Sequence, residues 1–580
     1  MTEIARIEPV APARLGYRQR WRHLDKAIFV WAILIGVLLL LVINPLARLF
    51  LVSFQTVDTG ALTLDNYVTA YGRWRYLEAL LNSLVLGLSV GVVGTVFGVP
   101  MAWAVSRTDM PGKGLVWTAI LGTFIVPSYL GAVAWILLAG PNAGWLNRAW
   151  VWLTGASSGP FNIYSMPGLV LIVASYSFPY MFVFTRAALD MISSEMEEAA
   201  STLGAGVLRT TLRVTLPLTL PAIMGAFIVQ FLEAIALFGA PALIALPGRF
   251  QVMTTMLWQF FEFPPKIEVA AAYSMPLLAI TVSLFWLQRR IIARKGYVAL
   301  TGKGGERRPL KLGRWRWAML AYCLFVTSLS FVLPMVVVLQ AAFAKAWGRG
   351  FSLDNLTLHN VRFVLVDQPL TQAATFHTFA YGGTASIIAL LLGLCIAYIV
   401  HRRLVPFRNV LSFLAMAPFV IPGIVLAIGF YAAYTRAPLA LYGTAWILIL
   451  AFATRFLPIA YANSDAAIRS INPELEDAVR SLGGGRFLAI RRVVMPLLKR
   501  GMAGAFILVF IPATRELSAA IFLYTTGTQV LSVLLFDKSD EGNFEILAAI
   551  GLVLVVITVA LVMAGFRLVG RDFMLKRTSA

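Results

Sequence analysis

Twelve apolar runs, each long enough to cross a bilayer, divide this chain and leave little sequence between them. A helix that spans the hydrocarbon needs about 20 mainly apolar residues. The first six runs fall at residues 28–52, 80–105, 114–139, 167–185, 214–246 and 269–287, and the second six at 317–343, 379–400, 410–434, 442–462, 501–524 and 547–566. Within a membrane every backbone N–H and C=O has to find its partner inside the segment or in a closed barrel. Runs of this length select helices, so the sequence predicts an all-α polytopic membrane protein with about 12 transmembrane helices in two sets of six.

Composition narrows the function. Of 580 residues, 59% are hydrophobic and 13% charged, and twelve spans leave no room for a large soluble catalytic domain. His23, His359, His377 and His401 lie far apart, which removes the paired imidazoles of a haem-bearing membrane subunit. Cys323 and Cys395 stand singly in apolar runs, against a disulfide framework, an iron–sulfur centre or a zinc site. The net charge of +21 would suggest nucleic acid in a soluble chain, but here it sits in loops and no basic face is evident. Placing both termini in the cytoplasm puts most Lys and Arg inside. Arg14, Arg18, Arg20, Arg22 and Lys26 precede the first run, which reads as an uncleaved anchor. The expected organisation is a basic N-terminus at 1–27, a first half at 28–288, a basic cytoplasmic linker at 289–316, a second half at 317–567 and a cytoplasmic tail at 568–580.

The halves are copies. Pro45, Phe54 and Leu64-Asp65-Asn66 recur 289 residues later as Pro334, Phe343 and Leu353-Asp354-Asn355. Gly98, Ala102, Arg107, Pro111 and Pro127 recur at a spacing of 295 as Gly393, Ala397, Arg402, Pro406 and Pro422. Past the fourth run the spacing becomes 279, so the outer loop at 140–166 is longer than its counterpart. Six spans is an even number, and both repeats therefore run parallel, related by an axis along the membrane normal.

At that third spacing Glu195-Met196-Glu197-Glu198-Ala199-Ala200-Ser201-Thr202-Leu203-Gly204 matches Glu474-Leu475-Glu476-Asp477-Ala478-Val479-Arg480-Ser481-Leu482-Gly483. Each segment reads as a short helix: Ser193 and Asn472-Pro473 supply N-terminal caps, acidic residues fill the first turns, and Gly204 or Gly483 permits a left-handed end. Met196, Ala199, Ala200 and Leu203, like Leu475, Ala478, Val479 and Leu482, form one apolar stripe opposite an acidic face. A membrane-surface anchor carries Lys and Arg on its polar face; Glu195, Glu197, Glu198, Glu474, Glu476 and Asp477 point to a protein partner instead.

Glu198-Ala199-Ala200, Gly204 and Val214-Thr215-Leu216-Pro217 resemble the EAA loop of type I ABC importer permeases. Asp477-Ala478-Val479, Gly483 and Val493-Val494-Met495-Pro496 form a degenerate second copy. The fused form resembles bacterial ferric-iron permeases, also through Trp135-Ile136-Leu137-Leu138-Ala139-Gly140-Pro141-Asn142-Ala143-Gly144, Phe238-Gly239-Ala240-Pro241 and Arg515-Glu516-Leu517-Ser518. The resemblance implies a multi-pass permease of the bacterial inner membrane whose two loops each couple to one copy of a separate ATPase. Substrate would arrive on an external binding protein: ferric iron, or else a phosphonate, polyamine, thiamine or sugar phosphate. The chain itself carries no Walker-type phosphate loop and is expected to be no enzyme; Gly302-Lys303-Gly304-Gly305 has the wrong spacing. It is expected to bind no cofactor, ATP and Mg being used by the partner.

Arg48, Glu233, Arg455, Arg515 and Glu516 fall within predicted spans, where an ionised side chain costs about 2.5–3.5 kcal/mol on insertion scales. Arg48 can snorkel to the outer interface. Glu233, Arg455, Arg515 and Glu516 are candidates to line a central path, and the two carboxylates are candidate oxygen ligands for a hard cation. An ion-coupled secondary transporter also fits twelve spans with repeats, but has no use for duplicated acidic helices.

Overall fold

The computed structural model of the protein describes residues 27–57, 59–192, 194–262, 264–294 and 309–569. The N-terminal basic stretch, the cap at Ser193, half of the linker and nearly all of the tail lie outside the described residues. Ten helices within them are long and apolar enough to cross a membrane: Ala27–Ser53, Trp74–Arg107, Met166–Met191, Val207–Ala236, Ile267–Ile291, Trp315–Ala342, Pro369–His401, Ala445–Arg469, Arg486–Thr514 and Phe544–Gly565. Large apolar side chains such as Phe29, Leu88, Phe325, Leu391 and Met563 remain exposed, as expected where the solvent is lipid.

Two of the expected spans are not straight. Lys113–Ile125 and Ser128–Ala139 are bent by 103° across Val126 and Pro127, and Arg408–Phe419 and Gly423–Tyr434 by 111° before Pro422. Proline lacks an N–H and disfavours helical geometry in the residue before it; Val126 is accordingly extended at φ −73°, ψ 127°. The fifth and eleventh runs also stop short of their expected ends. Val207–Ala236 gives way to a short helix at Gly239–Ala245, and Arg486–Thr514 to one at Ala520–Leu523.

The three repeat spacings reappear in the backbone. Single π-helical turns occupy Leu39–Ile43 and Ser328–Val332, and again Thr211–Thr215 and Ile490–Val494. The paired glycines Gly98 and Gly393 permit the same close helix approach: a Cβ on either would lie 2.7 Å from Met181 Cβ or 2.9 Å from the carbonyl carbon of Ala460. Met181 and Ala460 are themselves equivalent positions.

The halves exchange their first helices. Asn44–Ser53 packs on Gly423–Tyr434 of the second half, and Leu333–Ala342 packs on Ser128–Ala139 of the first. Tyr434 donates from its phenol to the Leu40 carbonyl at 2.5 Å, sealing one of these crossings. Most of the buried apolar residues form one cluster that runs through both halves.

Candidate functional site

The two acidic segments form helices at Ser194–Thr202 and Glu474–Ser481. Both end in the same way. Gly204 and Gly483 each adopt φ +80°, and the following amides, of Ala205 and Gly484, donate back to the Ala200 and Val479 carbonyls at 3.0 and 2.9 Å. Asn472 accepts from the Glu474 amide at 3.1 Å, which satisfies one orphan donor at the second helix's start.

The acidic face is divided. Glu197 and Glu476, one residue in each copy, turn inward and are buried, whereas Glu195, Glu198, Glu474 and Asp477 are exposed. Each buried carboxylate meets the arginine that ends the long helix of its own half. Arg107 lies 3.5 Å from Glu197, and Thr215 donates to the same carboxylate at 2.8 Å. Arg402 meets Glu476 at 2.7 Å, and the Tyr398 phenol donates to it at 2.7 Å. The same guanidiniums also donate to the carbonyls of Ile192, at 2.8 Å, and Ile471, at 3.3 Å, just before the acidic helices. One arginine thus fixes both the entry and the first turn of each helix.

The expected apolar stripe is not the buried face. Met196 is 36% exposed and Leu203 88%; Leu475 is 46% exposed and Leu482 89%. The buried ion pairs set this rotation. Turning the glutamates inward leaves the leucines facing outward, beside the exposed acids. Ala199 and Ala478 are exposed on the same helices.

The four charged residues singled out within the membrane all line one cavity of about 230 Å³: Glu233, Arg455, Arg515 and Glu516. Arg455 Nε donates to Glu516 Oε2 at 3.0 Å, while Glu516 Oε1 accepts from the Ala519 amide at 2.9 Å. Arg515 reaches across to the first half and donates to the Phe124 and Ile125 carbonyls at 2.5 and 3.4 Å, capping the helix that ends at the Pro127 bend. Three of the four are therefore engaged. Glu233 differs: it is hydrogen-bonded to Tyr180 through its side chain, yet its Oε2 is buried with no partner. Arg48 lies elsewhere and is exposed.

The cavity lies on the axis that relates the halves, because equivalent positions line it together. Tyr176 faces it with Arg455, Tyr180 with Ile459, Glu233 with Pro512, and Leu237 with Glu516, each pair 279 residues apart. Its polar groups are unlike within every pair, so a symmetric frame encloses an asymmetric site. Sequence reasoning missed the phenols of Tyr129, Tyr176 and Tyr180 on this wall. An isolated Tyr in an apolar run reads as core; the signal was Tyr129's place two residues after Pro127, and Tyr176 and Tyr180 lie on the helix packed against both limbs of that bend. Among the described residues, no three His, Cys, Asp or Glu side chains gather to hold a metal ion.

Comparison with known proteins matches this architecture. The chain is similar to the ferric transport system permease protein FbpB of Actinobacillus pleuropneumoniae, 27% identical over 92% of this chain and 77% of that one. It is 28% identical to the putative ferric transport system permease protein FbpB 1 of Haemophilus influenzae, over 89% of this chain and 84% of that one. The putative 2-aminoethylphosphonate transport system permease protein PhnV of Salmonella typhimurium is 30% identical over 43% of this chain and 93% of its own. A solved bacterial ABC transporter involved in import of the acidic polysaccharide alginate aligns at a TM-score of 0.41 and 17% identity, over 48% of this chain and 99% of that one. The profile of the binding-protein-dependent transport system inner membrane component matches residues 94–297 and again 389–571. The chain belongs to that family of ABC importer permeases, carrying two copies of its unit in one polypeptide.

Proposed function

We propose that this permease forms the path of an ATP-driven importer for ferric iron, with both termini in the cytoplasm. Two copies of a separate ATPase, which use ATP and Mg, seat on Ser194–Thr202 and Glu474–Ser481. An iron-loaded binding protein docks on the opposite face, where Trp150 and Trp152 of the longer loop are exposed. The observation that carries the coupling role is the rotation of the two short helices. Each is anchored by a buried ion pair and still presents a nearly bare leucine, Leu203 or Leu482, beside exposed acids. A surface of that kind is built for a protein groove rather than for water or lipid.

Motion imposed on these helices has two routes inward. The arginine pairs link it to Trp74–Arg107 and Pro369–His401. The π turns at Thr211–Thr215 and Ile490–Val494 lead into the helices that carry Glu233 at the end of one and Arg515 and Glu516 just past the end of the other. ATP binding, by favouring one arrangement of the inner loops, then shifts the path between inward- and outward-facing states.

Iron is favoured by two relatives named for ferric transport that match about nine-tenths of this chain and by the Glu233 carboxylate on the axis, whose buried Oε2 has no hydrogen-bond partner. The phosphonate-named relative matches less than half of this chain. Of the groups that would attract such an anion, Arg455 is paired with Glu516, and Arg515 is held on two backbone carbonyls. The test is ferric-iron uptake by iron-starved cells with and without the gene. Loss of uptake in the deletion, restored by the gene in trans, supports the reading; unchanged uptake removes iron as the substrate.

A further inference from the structure

We propose that Tyr129, Tyr176 and Tyr180 join Glu233 as oxygen ligands that hold a ferric ion transiently at the axial cavity. The proposal rests on the ferric-importer reading and specifies the chemistry by which the cargo is held in the path. Tyr129 and Tyr176 are 4% and 7% exposed, and neither phenol oxygen has a hydrogen-bond partner. Glu233 Oε2 is buried in the same condition. All three residues, with Tyr180, line one cavity of about 230 Å³. A buried polar group without a partner is destabilising, and three around one small space point to a ligand that satisfies them together.

The chemistry of the donors selects the ligand. Carboxylate and phenol oxygens are hard donors suited to a hard, highly charged cation, and no imidazole or thiolate lines the cavity. The cavity's formal charges balance before any ion enters, since Arg455 is paired with Glu516 and the Arg515 guanidinium, held on backbone carbonyls, is offset by the Glu233 carboxylate. When a phenol binds iron its O–H bond breaks, the oxygen's electron pair goes to the metal and the proton leaves to water. Three phenols that each exchange a proton for a share of one ferric ion leave the charge of the site unchanged. The large cost of placing a trivalent ion within the membrane is offset in this way.

Placement by fold supports a transient site. Tyr129 stands at the first turn of the limb after the Pro127 bend, Tyr176 and Tyr180 lie one turn apart on Met166–Met191, and Glu233 ends Val207–Ala236. Three separate elements therefore supply the ligands. A relative shift of any one of them loosens the set.

The experiment adds ferric nitrilotriacetate to the purified full-length permease with its ATPase in lipid nanodiscs and records visible absorption. Binding-protein-dependent iron uptake is then measured in proteoliposomes. The proposal expects a phenolate-to-iron charge-transfer band that weakens in Y129F, Y176F and Y180F and is lost in the triple variant. It expects uptake to fall by about tenfold or more in E233Q and the triple variant. Tyr to Phe keeps the ring volume, and ATP hydrolysis by the assembled complex reports whether each variant is folded. Iron uptake by a folded triple variant at the wild-type rate, or iron bound without the band, would overturn the ligand set and leave the ferric importer standing. Wild-type proteoliposomes that import no iron would instead remove the functional reading beneath it.

Discussion

At the scale of single residues, the pairs Arg107–Glu197 and Arg402–Glu476 give the clearest link from sequence to mechanism. Breaking a buried ion pair by removing one partner costs about 3–5 kcal/mol, because the other charge stays buried alone. R402A should therefore lower the melting temperature of the purified protein measurably, since it removes the guanidinium paired with buried Glu476. E476Q, which retains a polar side chain facing Tyr398 and Arg402, should cost less. Equal melting of R402A and wild type would contradict the assignment. A charge reversal at Glu476 thus tests packing rather than partner contact, and the residue equivalent to the exposed Glu198 is Asp477. The sequence held both ends of each pair, since the arginines recur at one spacing and the glutamates at another. Their meeting was illegible because no single spacing joins them. The tyrosines of the cavity were hidden for a different reason: an unpartnered phenol and a packed one look the same in a linear chain.

At the scale of elements, the short acidic helices and the bent pairs make separate predictions. Leu203 and Leu482 touch little of their own chain, so surface substitution there changes stability by no more than about 0.5 kcal/mol. L203E with L482E should leave melting unchanged while abolishing transport-coupled ATP hydrolysis in the assembled complex, and full coupling in that variant would contradict the docking role. The bend at Pro127 depends on Arg515, which satisfies carbonyls left open at the end of Lys113–Ile125. R515M should disorder that end, read as faster amide hydrogen exchange over residues 122–128; unchanged exchange would show that the cap is dispensable. Helix type and repeat were legible from apolar length and spacing. The bends were not, because hydropathy records how apolar a run is and not where it points. Pro127 and Pro422 were visible as recurring positions, and only the structure distinguishes a tolerated kink from a turn of more than 100°.

At the scale of the whole molecule, the exchange of first helices makes the two halves one folding unit. Each leaves apolar surface on Gly423–Tyr434 or Ser128–Ala139 uncovered unless the other half is present. Halves produced separately should aggregate or be degraded, and co-expression should rescue both, as read by the yield of protein recovered from membranes; stable recovery of either half alone would contradict the exchange. Which half a first helix covers leaves no trace in the apolar pattern, so this level was legible only in space. The axial cavity follows from the same symmetry, with unlike residues at equivalent positions giving one asymmetric site where two identical subunits would give two equal faces.

Motion at the outward leucines, carried through the arginine pairs and the π turns to the axis, is the central claim. It is tested most directly by uptake of radiolabelled ferric iron into proteoliposomes that hold the permease and its ATPase, supplied with the loaded binding protein outside and ATP within. The account predicts accumulation that requires ATP, persists when the membrane potential is collapsed and is lost in L203E with L482E. Iron that accumulates without ATP and vanishes with the potential would contradict it.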